Sequence, residues 1–189
     1  AIVTNSGGPG IVTTDAIELS GLAMARFDPQ TIESLRPGLP PVANFHNPVD
    51  IIGDGDVDRY MFAVKHVLAD PHTESLICLL TPTAVLDIPE LSRRLVAIRA
   101  QYPEKPIVTS FIGGKNIIEG AKILGEGGIP NFVFPERAIA ALRGLVEYSQ
   151  QIKKPHYVGT TAAPGKQPDK VRALFDEVRA DGRKALLGS

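Results

Sequence analysis

The sequence predicts a doubly wound α/β domain, and three observations carry that expectation. Short apolar runs recur along the chain, stretches of helical period separate them, and Gly, Pro and small polar residues gather where the runs end. The runs at 1–4, 22–26, 76–80, 107–111 and 129–132 are rich in Ile, Val and Leu at successive positions. A strand that is apolar on both faces belongs in a parallel sheet covered on both sides.

Taken in order, the chain opens on its first strand at 1–4 and enters a helix through Ile11, Ala16 and Leu19, which Gly21 stops. The second strand is expected at 22–26. Val57, Tyr60, Met61, Val64, Val67 and Leu68 then keep the three-and-four spacing of one buried stripe, with Asp54 or Asp56 suited to cap that helix. The third strand, 76–80, holds the single cysteine, Cys78, which reads as a reduced core residue. Ile88, Leu91, Leu95 and Ile98 repeat the stripe ahead of the fourth strand at 107–111. Gly127-Gly128 stop the fifth helix, and the fifth strand follows at 129–132. Pro135 starts a helix through Ile139, Leu142 and Val146. Five strands with helices between them make a flavodoxin-like open sheet of order 2-1-3-4-5.

Near Lys153 the pattern changes. Lys153-Lys154-Pro155 and the run from Gly159 to Gly165 have no apolar period and read as an exposed linker. Val171, Leu174, Phe175 and Val178 make one more amphipathic stripe, ending near Gly182. The expected organisation is a module over 1–152 and a linker with a helix over 153–189. A lone helix cannot bury that stripe against itself, so it either folds back or serves a neighbouring domain.

Composition narrows the function. Lys and Arg total 20 against 21 Asp and Glu, which argues against a charge-driven nucleic-acid or acidic-membrane role. No apolar run reaches the roughly 18–20 residues of a membrane span, and no basic segment precedes the first strand. The reading is a cytoplasmic domain.

Binding residues of an open parallel sheet lie beyond the carboxyl ends of its strands. After the first strand come Asn5, Ser6, Gly7, Gly8, Pro9 and Gly10, with Pro9 or Gly10 expected to open the helix. Free amides at a helix start favour an anion, phosphate or carboxylate, although a bare strand-to-helix turn uses the same residues. A P-loop is excluded because Ile11 and Val12 follow Gly10 where Lys and Ser or Thr are needed. A dinucleotide fingerprint lacks its third glycine. Asp28 stands where a ribose-binding acid sits, and reads equally as a surface charge. With no Trp, a flavin lacks a stacking partner.

The second loop holds Asn47, Pro48, Asp50, Gly53, Asp54 and Asp56. Its acids lack EF-hand spacing, so capping is preferred to calcium, and no metal site is expected. Thr81, Pro82 and Thr83, and then Gly113 and Gly114, offer hydroxyls and open backbone at two further strand ends. His46, His66, His72 and His156 are scattered, and no Ser-His-Asp, Cys-His or paired-carboxylate set stands out. The chain carries no complete catalytic set of its own.

Taken as an ordered set, Thr4-Asn5-Ser6-Gly7-Gly8-Pro9-Gly10-Ile11 with Thr14-Asp15, Asn47-Pro48-Val49-Asp50, Lys105-Pro106, Gly113-Gly114 and Gly128-Ile129-Pro130 is similar to one known pattern. It resembles the second flavodoxin-like, or ligase-CoA, module of ADP-forming (NDP-forming) acetyl-CoA and acyl-CoA synthetases, in the succinyl-CoA synthetase superfamily. Residues 170–183 likewise resemble the approach to the ATP-grasp part of single-chain members. The resemblance implies a parent ligase that interconverts acid, ATP and CoA with acyl-CoA, ADP and phosphate through acyl-phosphate and phosphohistidine. It implies use of ATP or ADP, Mg and CoA, and partnership with CoA-binding, phosphohistidine and ATP-grasp modules, with homo-oligomerisation left open. The phosphorylated histidine belongs to a preceding module, so none of the four here takes that role. By the same resemblance, Asn5, Ser6, Gly7, Gly8, Gly10, Thr81, Pro82, Thr83, Gly113 and Gly114 line the acyl-phosphate site. Asn47, Asp50, Gly53 and Asp54 support it. Alternatives are a synthetase-like regulatory module of a protein acetyltransferase, and a flavodoxin-like cofactor or signalling domain.

Overall fold

In the computed structural model, which describes residues 1–153 and 168–182, four of the chain's extended segments pair into one parallel sheet. They are β1 (Ile2–Thr4), β2 (Val49–Asp50), β3 (Leu76–Leu80) and β4 (Ile107–Phe111), in the order β2-β1-β3-β4. The chain divides into two units, Ala1–Ser149 and Gln150–Ser189.

Helices cover both faces of the sheet. Six belong wholly or mainly to the first unit: α1 (Gly7–Ser20), α2 (Pro29–Leu35), α3 (Val57–Ala69), α4 (Ile88–Arg99), α5 (Ile118–Glu126) and α6 (Pro135–Lys153). Alternation along β3 divides the core. Leu76, Cys78 and Leu80 join the cluster that contains Val64 and Leu68 of α3, Leu91 and Leu95 of α4 and Leu124 of α5. Ile77 and Leu79 point the other way, to Ile17 of α1 and Ala138, Ile139 and Leu142 of α6. All five β3 residues are buried, as a doubly covered strand requires. Cys78 is a free thiol whose pKa burial pushes up to about 12, so it stays protonated and inert.

The second strand is not where the apolar run at 22–26 placed it. That segment is extended but joins no ladder, and none of its residues is fully buried. Leu22 and Met24 only pad the edge of the smaller core cluster. The sheet position beside β1 goes to Val49 and Asp50, in register with Val3 and Thr4. Asn47 links the two alternatives: its Oδ1 accepts the Ile2 N–H at 2.9 Å, and its Nδ2 donates to Ala25 O at 3.0 Å. One side-chain amide thus stands in for a ladder between β1 and the 22–26 segment.

The fifth strand shrinks to a single parallel bridge, Thr109 with Asn131. Thr109 N donates to Pro130 O and Phe132 N to Thr109 O, after which the Asn131 side chain takes over. Its Oδ1 accepts from Phe111 N at 3.0 Å and from the Thr109 hydroxyl at 2.9 Å, so the backbone ladder stops.

Helix boundaries follow capping chemistry. Gly21 ends α1 in the left-handed conformation at φ 79°, where a Cβ is costly. Asp56 caps α3 by accepting the Arg59 N–H at 2.9 Å. Asp28 is neither a ribose ligand nor an idle surface charge: its carboxylate caps α2 by accepting Gln30 N–H at 2.8 Å, with Pro29 in the first turn.

At the amino-terminal side of the sheet, buried Asp70 gathers the Asp28 N–H at 2.9 Å and the His72 N–H at 2.8 Å. Burial pushes its pKa up, but hydrogen bonds from the Thr31 hydroxyl and from those two amides outweigh it and hold the carboxyl below the usual range. Lys105 Nζ binds the carbonyls of Leu68 and Asp70 at 2.7 and 2.8 Å, tying the end of α3 to the approach to β4.

In the second unit, α7 (Pro168–Ala180) carries the stripe expected from Val171, Leu174, Phe175 and Val178, with Val178 buried. The proposed linker from Gly159 to Gly165 lies outside the described residues. No helix among the described residues is long and apolar enough to cross a membrane.

Candidate functional site

The strand order reverses between β1 and β3, and a parallel sheet opens its ligand crevice at that point. Asn5 leaves β1 there and is almost wholly buried. Its Nδ2 donates to Thr81 O at 2.8 Å, and its Oδ1 accepts the Thr81 N–H at 3.0 Å and the Thr81 hydroxyl at 3.2 Å. Asn5 is therefore a clamp between the first and third loops rather than a free ligand group.

The helix opens earlier than Pro9 or Gly10. It starts at Gly7, with Ser6 in extended conformation at the N-cap and no side-chain capping bond. Thr4 Oγ1 accepts the Ser6 N–H at 3.0 Å and donates to Ser6 O at 2.9 Å, which fixes that turn. Gly10 N–H is the first to bond back, to Ser6 O at 3.3 Å. Pro9 has no N–H, so the amides of Gly7 and Gly8 remain without a protein acceptor among the described residues. A Cβ placed on Gly8 would meet no heavy atom within 4 Å.

The other loops close around this helix start. The Asp50 carboxylate lies about 3.5 Å from where a Cβ on Gly7 would be, and it also accepts the Ile52 N–H at 2.9 Å. A Cβ on Gly53 would lie 3.8 Å from Asn5 O. Gly113 sits so close to Pro82 that a Cβ would come within 2.8 Å of its Cγ. Gly114 has open space. Thr83 Oγ1 is buried without a hydrogen-bond partner among the described residues. Asn47 turns its side chain instead to Ile2 and Ala25, and Asp54 pairs with Arg59.

Two members of the site were missed in the sequence. Ile52 is the only non-glycine residue at positive φ among the described residues, at 69°, an uncommon conformation for a β-branched side chain. It lies between Asp50 and Gly53 and is held by the Asp50 carboxylate. Tyr60 is fully buried under the crevice and donates its hydroxyl to Leu79 O at 2.6 Å. Burial foremost keeps that phenol protonated. The Val57 stripe marked Tyr60 as core, but nothing in the stripe tells which way its hydroxyl reaches.

The acids after β2 have separate partners: Asp54 with Arg59, Asp58 with Arg94, Asp56 with its helix, Asp50 with Ile52. No cluster of three or more metal-binding side chains occurs among the described residues. His46 is exposed and the His66 ring packs on Phe62, while His156 lies outside the described residues. The arrangement offers amides and hydroxyls to an anion and brings no nucleophile or general base beside them.

Residues 1–154 match the model of the Ligase-CoA domain. The chain belongs to the Ligase-CoA family. Among curated relatives of this Ligase-CoA chain, acetate–CoA ligase [ADP-forming] I of Archaeoglobus fulgidus is 38% identical over 150 residues, covering 79% of this chain and 21% of that protein. The 4-hydroxybutyrate–CoA ligase [ADP-forming] of Nitrosopumilus maritimus is 31% identical over 196 residues, covering 98% of this chain and 26% of that one. The Ligase-CoA chain thus spans about a quarter of the length of these relatives. A crystal structure from Pyrococcus horikoshii superposes with a TM-score of 0.77 at 34% identity, over 81% of this chain and 36% of that one. The dinucleotide-forming acetyl-coenzyme A synthetase 1 of Ca. Korarchaeum cryptofilum, in complex with phosphate and ADP, gives 0.73 at 28% identity, over 79% and 32%.

Proposed function

We propose that this chain is the ligase-CoA module of an ADP-forming acyl-CoA synthetase, and that its crevice receives the phosphoryl group of acyl-phosphate or phosphohistidine. The observation that carries the reading is the uncovered start of α1. The Gly7 and Gly8 amides lack protein acceptors, the Ser6 hydroxyl caps nothing, and the space over Gly8 is open. Such a helix start holds phosphoryl oxygens through N–H donors and the helix dipole. The buried, unpartnered Thr83 hydroxyl lies in the loop that Asn5 clamps to it, and is a further donor on the opposite wall. Gly113 and Gly114 leave the third wall low, while Asn47, Asp50, Gly53 and Asp54 form the supporting loop.

In this reading the parent enzyme interconverts acid, ATP and CoA with acyl-CoA, ADP and phosphate. Donors aimed at the transferring phosphoryl group stabilise its charge and orient it. The histidine that carries the phosphoryl group comes from another module, because neither His46, His66 nor His72 stands in the crevice loops. Nucleotide, Mg and CoA are used by the assembled enzyme, in the cytoplasm. Residues 1–152 are the module, and 153–189 lead toward an ATP-grasp domain. The alignment of nearly the whole chain with the 4-hydroxybutyrate relative supports that continuation.

Two measurements test the reading. Inorganic phosphate titrated into the 15N-labelled chain should shift the Gly7 and Gly8 amide resonances first. The chain alone should form no acyl-CoA from acid, ATP and CoA. Turnover by the chain alone, or phosphate shifts that avoid these amides, refutes it.

A further inference from the structure

The two strands that flank the crevice pair only as far as Val3 with Cys78. In this parallel register Ile77 N–H donates to Ala1 O at 2.9 Å. The alternation of such a ladder leads on to a bond from Asn5 N–H to Leu79 O, and then from Thr81 N–H to Asn5 O. Neither bond forms among the described residues. Leu79 O accepts from the Tyr60 hydroxyl at 2.6 Å, and the Asn5 N–H donates to that same hydroxyl. One step further, the Thr81 N–H goes to Asn5 Oδ1 rather than to the Asn5 carbonyl. A phenol oxygen and a side-chain amide thus take the places of two ladder bonds.

We propose that Tyr60 is a positioning residue, whose hydroxyl wedges β1 apart from β3 where the strand order reverses and so sets the width of the crevice and the aim of the α1 amino end. The hydroxyl is fully buried and comes up from α3, whose neighbouring Val57, Ala63 and Val64 are themselves buried and leave it no other place. Packing alone would be met by Phe. A buried phenol needs partners, and both of this one's lie on the two strand ends. Asn5 is two residues ahead of Gly7, so a displacement of Asn5 is passed to the open amides of α1. The identity of the anion rests on the phosphoryl reading above, whereas the wedge itself rests on the strand geometry.

Tyr60→Phe removes the wedge and lets Asn5 N–H meet Leu79 O directly, extending the ladder by one bond. The test uses the full 189-residue chain, labelled with 15N and 13C, and inorganic phosphate as probe. Scalar coupling across a hydrogen bond between Asn5 N–H and the Leu79 carbonyl should be absent in the native chain and appear in the variant. Phosphate affinity should weaken by about tenfold, the scale of a small misplacement of positioning donors. The thermal midpoint should stay within a few degrees, because the Leu79 carbonyl regains a partner. A coupling already present in the native chain overturns the wedge, and that measurement holds even if the variant does not fold. Unchanged phosphate affinity in a folded variant overturns the positioning role. If the native chain binds no phosphate at Gly7 and Gly8, the phosphoryl reading fails while the couplings still decide on the wedge.

Discussion

Gly8→Val separates a glycine kept for a ligand from one kept for the fold. Gly8 is the second residue of α1, its φ is not positive, and a Cβ there meets nothing within 4 Å. The fold therefore gives no steric reason for glycine. Gly in a helix is about 0.5–1 kcal/mol less favourable than Ala, so Gly8→Ala should stabilise by up to that amount. For a chain of this size that raises the melting midpoint by about 1–4 °C. Val has lower helix propensity than Ala, so Gly8→Val should leave the midpoint nearly unchanged. The isopropyl group would instead stand over the Gly7 and Gly8 amides. If it denies an anion two charge-assisted hydrogen bonds of about 1.5–3 kcal/mol each, affinity falls by about 100-fold or more. Calorimetry on the chain gives the first number. Phosphate titration, and phosphorylation of the parent enzyme's histidine, give the second. A Gly8→Val protein with native phosphate affinity and native phosphotransfer refutes the argument.

Other substitutions should act on the fold. Gly113→Ala puts a Cβ 2.8 Å from Pro82 Cγ, so thermal melting should show a loss of about 1–3 kcal/mol from overpacking. Asn47→Ala strips a partner from Ile2 N–H and from Ala25 O, and denaturant titration should show about 2–4 kcal/mol lost. For Asp70→Asn, loss of charge-assisted hydrogen bonds should cost about 2–3 kcal/mol at neutral pH. The folded pKa of Asp70 lies below its unfolded value, so its contribution is present above the unfolded value and disappears as pH falls through the folded one. The difference between native and Asp70→Asn unfolding curves should therefore shrink in acid. A difference that stays constant, or grows, contradicts the assignment.

The sequence made the long elements legible and hid the short ones. The stripes of α3 and α4 repeat often enough for periodicity to be decisive, and every residue named for α4 is buried. Apolar character could not separate a strand from an extended segment that pads a core edge, which is why 22–26 was misplaced. β2 has two residues, follows a proline and contains an aspartate, so no pattern had room to develop. α2 was passed over because Asp28 was weighed as a ligand, when Asp followed by Pro also opens a helix. The loops of the candidate site could be found because strand ends predict them. Contacts such as the Asn5–Thr81 clamp, the reach of Tyr60 and the left-handed Ile52 depend on residues far apart in the chain. Local sequence carries no trace of them.

The way α1 is anchored has a consequence for motion. Of its fourteen residues only Gly10, Thr13 and Ile17 are buried, while Leu19 is 87% and Ile11 66% exposed. One isoleucine supplies nearly all of its large apolar anchorage, against Val57, Tyr60, Val64, Val67 and Leu68 for α3. Subglobal opening should therefore release α1 well before α3, and native-state hydrogen exchange should be correspondingly faster in its amides. A helix so lightly held can gain much of its order from whatever binds its first turn. Occupancy of the crevice should then slow exchange along α1 as far as Ile17, several turns from the point of contact, and leave α3 as it was.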